Sequence, residues 1–108
     1  MFRLTALYGQ PQDSAAFDHY YQETHAALVQ KIPGLKGFVV NKPAPLNPQE
    51  QSPYYMIGEL YFESIAAFQT ALQSPEGQAA AGDLQNFATG GVTLLVGEVQ
   101  VYKPVSIG

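Results

Sequence analysis

The chain has two histidines, His19 and His25, and these are its main candidates for acid–base chemistry. An imidazole has an unperturbed pKa of about 6.5, so it can donate or accept a proton near neutral pH. Both residues lie in a segment with the hydrophobic pattern of a helix. At about 100° per residue, one face of that helix carries a mostly apolar stripe: Phe17, Tyr21, Thr24, Leu28 and Ile32. His25 falls at the edge of this stripe and His19 nearly opposite. We therefore expect His25 to face an internal space and His19 to face water.

The position of His25 is compatible with two interpretations. Its ring could sit at the boundary of the core and hydrogen-bond a backbone carbonyl or a strand side chain. Alternatively, it could be a general acid or base at a pocket between helix and sheet. Tyr20 and Tyr21 flank the stripe, and each could form either a pocket wall with a polar tip or ordinary core packing.

Several other kinds of chemistry lack the residues they need. The chain has no cysteine, which excludes disulfides, thiolate metal sites and thiol nucleophiles. The phosphate-binding patterns GxGxxG and GxxxxGK[ST] and the hydrolase pattern GxSxG are absent from the sequence. His19 and His25 also lack the i, i+4 spacing of a helical zinc site. We therefore expect no metal and no resident cofactor.

Composition predicts a single acidic domain. The 108 residues are 46% hydrophobic, enough to fill one core, so we expect one domain over residues 1–108. The net charge is −4 and the five basic residues do not cluster, which argues against nucleic-acid binding. No apolar run approaches the roughly 18 residues that cross a bilayer, and no signal peptide is evident. We expect a cytoplasmic protein without membrane contact.

Hydrophobic periodicity divides the chain into alternating elements. It predicts strands at 2–8, 36–42, 54–62 and 92–102, a helix from about 13 to 31, a second helix from 64 through 72, and a further helical turn from 74. A proline-rich connection at 43–53 joins the second and third strands. This order predicts an α+β, ferredoxin-like βαββαβ fold with a four-stranded antiparallel sheet and both helices on one face.

The sheet face without helices is the second feature of interest. It carries apolar side chains beside polar ones: Leu7, Tyr55, Ile57 and Tyr61 with Arg3, Thr5 and Glu59. Charged residues are only 13% of the chain, against roughly 25% in typical domains, which suggests that part of the surface is covered. We expect a homodimer formed sheet to sheet, with Arg3 and Glu59 as an ion pair within or between subunits.

Two blocks of sequence resemble the EthD-like family, named for ethyl tert-butyl ether degradation. The first is AFDHYYQETHAALV at 16–29 followed by KIPGL at 31–35. The second is YYMIGELYF at 54–62, SPEGQAAA at 74–81 and DLQNF at 83–87. The resemblance implies a homodimeric α+β barrel with a ligand cavity between helices and sheet in each subunit. It carries the family's helix histidine to His25 and the tyrosine one turn earlier to Tyr21. Ala27 stands where the family often has proline.

The resemblance and the residues together predict a small cofactor-independent enzyme acting on a small apolar or aromatic organic molecule. Its reaction would be oxidoreductase-like or monooxygenase-like, or isomerase-like or cyclase-like, in a degradation pathway, with His25 as general acid or base and Tyr21 as its partner. The expected pocket walls are Tyr8, Tyr20, Phe38, Met56, Phe68 and Phe87. One alternative is a binding or accessory protein that holds a small hydrophobic molecule. Another is a structural dimer domain whose helix–sheet space is completely filled.

Overall fold

A computed structural model describes residues 1–107, and they form one four-stranded antiparallel sheet. The strands are β1 (Phe2–Gly9), β2 (Gly37–Asn41), β3 (Tyr54–Phe62) and β4 (Val92–Glu98), in the order β2-β3-β1-β4. The helices are α1 (Ser14–Tyr20), α2 (Ala26–Gln30), α3 (Ile65–Gln73) and α4 (Pro75–Asp83). A π-helical turn (Tyr21–His25) joins α1 to α2, and a 3₁₀ turn (Leu84–Asn86) follows α4. The ferredoxin-like βαββαβ prediction is confirmed.

Side chains start the helices where the sequence predicts. The carboxylate of Asp13 accepts the backbone N–H of Ala16, and the hydroxyl of Ser64 accepts that of Ala67. Ser74 separates α3 from α4, with Pro75 as the first residue of α4. Such caps satisfy backbone donors that have no partner within the helix. No helix in the described part of the chain is long and apolar enough to cross a membrane.

The last strand is shorter than predicted. The sequence pattern indicates a strand over 92–102, whereas β4 ends at Glu98. The reason is its partner: Glu98 pairs with Phe2 at the start of β1, and the N–H of Val99 bonds to the carbonyl of Met1. β1 begins at Phe2, so its ladder with β4 ends at this pair. The apolar residues of the following segment are largely exposed: Val101, Tyr102, Val105 and Ile107.

Alternation along the central strands separates two faces of the sheet. Every second residue of β1 and β3 turns toward the helices and is mostly buried: Phe2, Ala6, Tyr8, Met56, Gly58, Leu60 and Phe62. The open face is formed by the half-buried residues that alternate with them: Arg3, Thr5, Leu7, Ile57, Glu59 and Tyr61. The prediction of Tyr55 on this face is wrong, because its ring packs edge-on against Phe17 and its hydroxyl donates to Asp18 of α1. On that face Arg3 Nη1 lies 3.1 Å from Glu59 Oε2, so the predicted ion pair forms between adjacent strands of one chain.

The helix-covered core consists of two clusters. The phenylalanine cluster contains Phe2, Val29, Leu60, Phe62, Phe68, Ala71 and Ala80. The tyrosine cluster contains Ala6, Tyr8, Phe17, Tyr21, Met56 and Phe87, whose aromatic rings contact one another edge-on, tilted or stacked. The candidate site described next lies where the two clusters meet.

Candidate active site

The π-helical turn brings His25 into the core. Its signature is the backbone N–H of Ala26, which bonds to the carbonyl of Tyr21 five residues earlier. The turn holds one extra residue, so the helix beyond it is rotated by about 100° relative to a regular α-helix. The centre of the predicted stripe is therefore shifted beyond Tyr21, although Leu28 and Ile32 still pack, partly buried, against the phenylalanine cluster. The buried residues run at intervals of four, with His25 and Val29 where Thr24 and Leu28 were expected.

His25 is consequently more buried than its predicted edge position implies. Its exposure is 3%, and its ring centroid lies 5.2 Å from that of Tyr21 and 4.6 Å from that of Phe87. His19, in the preceding helical turn, is exposed as expected. A polar ring at this depth needs a hydrogen-bond partner.

The partner is Asp83, the last residue of α4, which the sequence analysis did not identify. His25 Nδ1 donates to Asp83 Oδ2 at 3.0 Å. The other carboxylate oxygen accepts from the Tyr20 hydroxyl at 2.5 Å and from Asn86 Nδ2 at 2.9 Å. A carboxylate can only accept, so this geometry assigns the hydrogen to Nδ1 of the neutral imidazole. Nε2 is then the unprotonated nitrogen, free to act on a bound molecule.

The charge states support that assignment. Burial lowers the pKa of His25 below the ordinary imidazole value, although Asp83 acts in the opposite direction. Burial alone would raise the pKa of Asp83, but hydrogen bonds from Tyr20, Asn86 and His25 outweigh it, and the net shift is downward. The pair at neutral pH is therefore a neutral imidazole beside a carboxylate. Asp83 can then stabilise the imidazolium that forms when Nε2 takes a proton.

A cavity of about 110 Å³ lies between the helices and the sheet, beside His25. Its floor includes Ala6 and Gly58, which are directly paired across β1 and β3. Two such small residues at the centre of a sheet leave space that larger side chains would fill. Apolar cavities of about 150 Å³ bind molecules the size of benzene. The expectation of a completely filled helix–sheet space is therefore wrong.

Polar atoms on the cavity wall are few. Among the side chains lining it, only Tyr8, Tyr21 and His25 carry a polar group. Burial raises the pKa of Tyr8 well above its ordinary value and that of Tyr21 to about 12, so both hydroxyls stay protonated. The two hydroxyls also interact with each other, so one hydroxyl hydrogen is left to donate to a ligand. The Tyr21 hydroxyl lies 3.3 Å from where a Cβ would stand on Gly58, so the glycine makes room for it.

The predicted pocket residues divide into two groups. Tyr8 and Phe68 line the cavity together with His25 and Tyr21. Tyr20, Phe38, Met56 and Phe87 do not line this cavity. Each has another contact that explains its position: Met56 and Phe87 complete the tyrosine cluster, Phe38 packs against both clusters, and Tyr20 bonds to Asp83.

One sequence signal could have identified Asp83. It closes α4, and a negative charge at a helix C-terminus is unfavourable because the helix dipole places partial negative charge there. A carboxylate in such a position needs a compensating partner, and the buried histidine provides one. Within residues 1–107 no group of three His, Asp or Glu side chains is arranged to hold a metal ion.

The fold and the cavity define a class: a small ferredoxin-like α+β protein with an internal apolar site and a buried His–Asp pair. Comparison with known sequences identifies the family within this class. The model of the EthD domain matches residues 9–91, and the chain belongs to the EthD family.

Individual relatives agree with this assignment. An uncharacterized 11.0 kDa protein in the thcB-thcC intergenic region of Rhodococcus erythropolis is 45% identical over 104 residues, covering 96% of this chain and 100% of the relative. The crystal structure of an EthD-family protein from Bacillus halodurans C-125 is 39% identical, with a TM-score of 0.86 and coverage of 93% of this chain and 99% of that one.

More distant structures share the fold alone. The hydroxynitrile lyase from Passiflora edulis is 15% identical, with a TM-score of 0.72 and coverage of 95% of this chain and 97% of that one. A dimeric ferredoxin-like protein of unknown function from Thermobifida fusca YX is 14% identical, with a TM-score of 0.67 and coverage of 91% and 90%.

Proposed function

We propose that the protein is a small enzyme in which His25, oriented by Asp83, moves protons on a small, largely apolar organic molecule held in the cavity. The observation that carries this proposal is the placement of a buried His–Asp pair on the wall of an otherwise apolar cavity. Tyr21 contributes a protonated hydroxyl beside the base. Perturbed titratable groups that converge on a cavity are typical of catalytic sites.

The reaction belongs to one of the two predicted groups, oxidoreductase-like or monooxygenase-like on one side and isomerase-like or cyclase-like on the other. Both can begin with removal of a proton by a base such as His25. The family's name, taken from ether degradation, supports a place in the breakdown of an organic compound. The named hydroxynitrile lyase supports only that a fold of this kind can carry an enzyme.

A second candidate function is binding without turnover. The observation that favours it is the small number of polar groups on the cavity wall: two hydroxyls and one ring nitrogen. A carrier of a hydrophobic molecule needs shape and apolar area, and it does not need a base. Measuring whether a bound compound is turned over distinguishes the enzyme from the carrier.

We also propose that the protein is a homodimer formed through the open face of the sheet. The support is the half-buried apolar surface around Leu7, Ile57 and Tyr61, and the similarity to a structure described as dimeric. A specific dimer should bury at least about 1,000 Å² in total. Sedimentation at micromolar concentration should give twice the chain mass, and a monomer would contradict the proposal.

The catalytic proposal is tested with a ligand screen by thermal shift over aromatic acids, lactones and ethers, followed by turnover assays on the compounds that bind. His25→Asn is the key variant because its amide can still donate to Asp83 while the Nε2 base is lost. We expect turnover to fall by about 10²–10⁴-fold. His19→Asn, an exposed histidine of the preceding helical turn, is the matched control and should keep full turnover. Binding without any turnover by the unaltered protein would favour the carrier.

A further inference from the structure

We infer that the cavity takes an uncharged carbonyl compound, such as a ketone, an ester or a lactone, and that His25 Nε2 removes a proton from the carbon next to the carbonyl group. This inference rests on the proposed function and names its substrate class and first chemical step.

The charges around the cavity exclude an ionic ligand. None of the described residues that line the cavity is an Asp, Glu, Lys or Arg. The nearest charge is the Asp83 carboxylate behind the His25 ring, where it already accepts three hydrogen bonds. An anion would lose its hydration without gaining a cation, and Asp83 would repel it. A cation would find no carboxylate on the wall. An uncharged molecule avoids both costs.

The directions of the available hydrogen bonds select the functional group. The hydroxyls of Tyr8 and Tyr21 stay protonated and interact with each other, which leaves one hydroxyl hydrogen to donate to an oxygen, whereas Nε2 of His25 can only accept. A carbonyl compound matches both requirements, because its oxygen accepts and the neighbouring carbon carries a weakly acidic hydrogen. The rest of the wall is apolar and suits a hydrocarbon body. Tyr21 and His25 are four residues apart in the helix, with ring centroids separated by 5.2 Å, so donor and base line the same part of the cavity.

The step balances without any further reactant. Nε2 takes the proton and the C–H electron pair becomes a C=C bond. The former C=O pair moves to the oxygen, which accepts a hydrogen bond from Tyr21. The imidazolium, stabilised by Asp83, exchanges its Nε2 hydrogen with solvent and delivers a hydrogen to the same carbon, or returns the proton to a more distant carbon when the substrate is unsaturated. The net result is exchange of hydrogen with solvent in the first case and isomerisation in the second. Donors aimed at a developing oxyanion are effective in water-poor sites of this kind.

The experiment uses cyclohexanone as the probe, because its ring is close in size to benzene and carries one carbonyl oxygen. The protein is incubated with cyclohexanone in D₂O, and loss of the hydrogens next to the carbonyl is followed by proton NMR. Cyclohexanecarboxylate, which has the same ring and a negative charge, and cyclohexane, which has no oxygen, are compared for binding by chemical-shift changes in ¹⁵N-labelled protein.

We expect cyclohexanone to bind and to exchange its hydrogens faster than in buffer alone. The enzyme-dependent rate should fall by about 10²–10⁴-fold in His25→Asn and by less in Tyr21→Phe, which keeps the ring and the fold. His19→Asn and Tyr102→Phe, which change exposed residues, should leave the rate unchanged. Cyclohexanecarboxylate should bind more weakly than cyclohexanone.

Three results would contradict the inference, and they separate it from the proposed function. Tighter binding of cyclohexanecarboxylate than of cyclohexanone would overturn the uncharged substrate. Absence of His25-dependent exchange, while a non-carbonyl compound from the screen is turned over with dependence on His25, would overturn this inference and leave the proposed function standing. Absence of exchange together with absence of His25-dependent turnover of every compound that binds would overturn both.

Discussion

Two pairs of groups that can carry opposite charges lie on opposite faces of the same sheet, at nearly the same separation. On the helix-covered face, His25 and Asp83 are 3.0 Å apart with side chains 4% and 6% exposed. On the open face, Arg3 and Glu59 are 3.1 Å apart with side chains 43% and 22% exposed. Distance alone would rank them as equals. Their surroundings make one pair a candidate for chemistry and the other a modest surface contact.

The physical difference is the dielectric environment. In the single subunit, water reaches and screens the Arg3–Glu59 pair, and exposed ion pairs contribute about 0–1 kcal/mol to stability. The His25–Asp83 pair has lost its hydration, and apolar residues of similar volume in such a position often stabilise a protein more. Aromatic rings surround the pair, so apolar side chains could occupy its place in the core. The buried pair is therefore better explained by a role at the adjacent cavity than by a contribution to folding stability.

The largest effect is expected from Asp83→Asn on turnover. The change is nearly isosteric, but the amide can present its N–H to His25 and favour the tautomer with the hydrogen on Nε2, which cannot act as the base. A substitution of this kind can lower turnover by up to about 10⁴-fold. Glu59→Gln makes the same chemical change in the exposed pair and should leave turnover unaltered. Steady-state turnover rates of the two variants measure this difference. Equal losses of turnover would show that the buried pair has no greater role in catalysis than the exposed pair.

The second largest effect concerns stability. Asp83→Ala leaves the buried Nδ1–H of His25 without an acceptor, and an unsatisfied buried donor costs about 1–3 kcal/mol. In the dissociated subunit, Glu59→Ala should cost about 0–1 kcal/mol, because Arg3 can there turn to water. The free energy of unfolding from urea titration measures both. A larger loss for Glu59→Ala would show that the open-face pair is the more deeply buried one in solution.

The pH dependence of stability distinguishes the pairs further. The pKa values of His25 and Asp83 are both lowered in the folded protein, so the unfolded chain binds more protons on acidification. Their contribution to stability is complete above about pH 6.5 and decreases below it, first through His25 and then, below about pH 4, through Asp83. His25→Asn should flatten the decrease between pH 6.5 and the lowered pKa of His25, and His19→Asn should not. An unchanged profile in His25→Asn would contradict the assigned neutral state.

The smallest change in stability is expected when either of two strand glycines, Gly58 or Gly97, is replaced by alanine. Gly58→Ala places a Cβ 3.3 Å from the Tyr21 hydroxyl, inside the cavity, whereas Gly97→Ala meets no atom within 4 Å. Alanine gains roughly 0.5–1 kcal/mol over glycine in a strand, which offsets the crowding at Gly58. We expect Gly58→Ala to change stability by less than about 1 kcal/mol and to weaken ligand binding and turnover. Gly97→Ala should affect neither, and equal ligand affinities for the two variants would place the ligand elsewhere.

Local patterns were sufficient to predict most of the fold. Alternation along β1 and β3, the helix starts near 13 and 64, and the proline-rich connection each depend on nearby residues, and all are confirmed. The end of β4 was missed because it is set by where β1 begins, which is a property of pairing rather than of β4 itself.

The site was predicted only in part, for three physical reasons. A π-helical turn does not follow the 3.6-residue period on which helical patterns are judged, so the depth of His25 was underestimated. Asp83 lies 58 residues away in sequence, and nothing local links it to His25. The cavity depends on the pairing of Ala6 with Gly58, which is visible only once the register of the strands is known.

The most direct test of a neutral His25 base is its protonation state, measured by long-range ¹H–¹⁵N NMR on labelled protein across a pH titration. We expect a neutral ring at pH 7 with its hydrogen on Nδ1, a pKa below the ordinary imidazole value because of burial, and a change in the Nε2 resonance when cyclohexanone is added. Asp83→Asn should alter the tautomer. A His25 that is charged at pH 7, or neutral with its hydrogen on Nε2, would have no base to offer the cavity and would contradict the proposed role of His25.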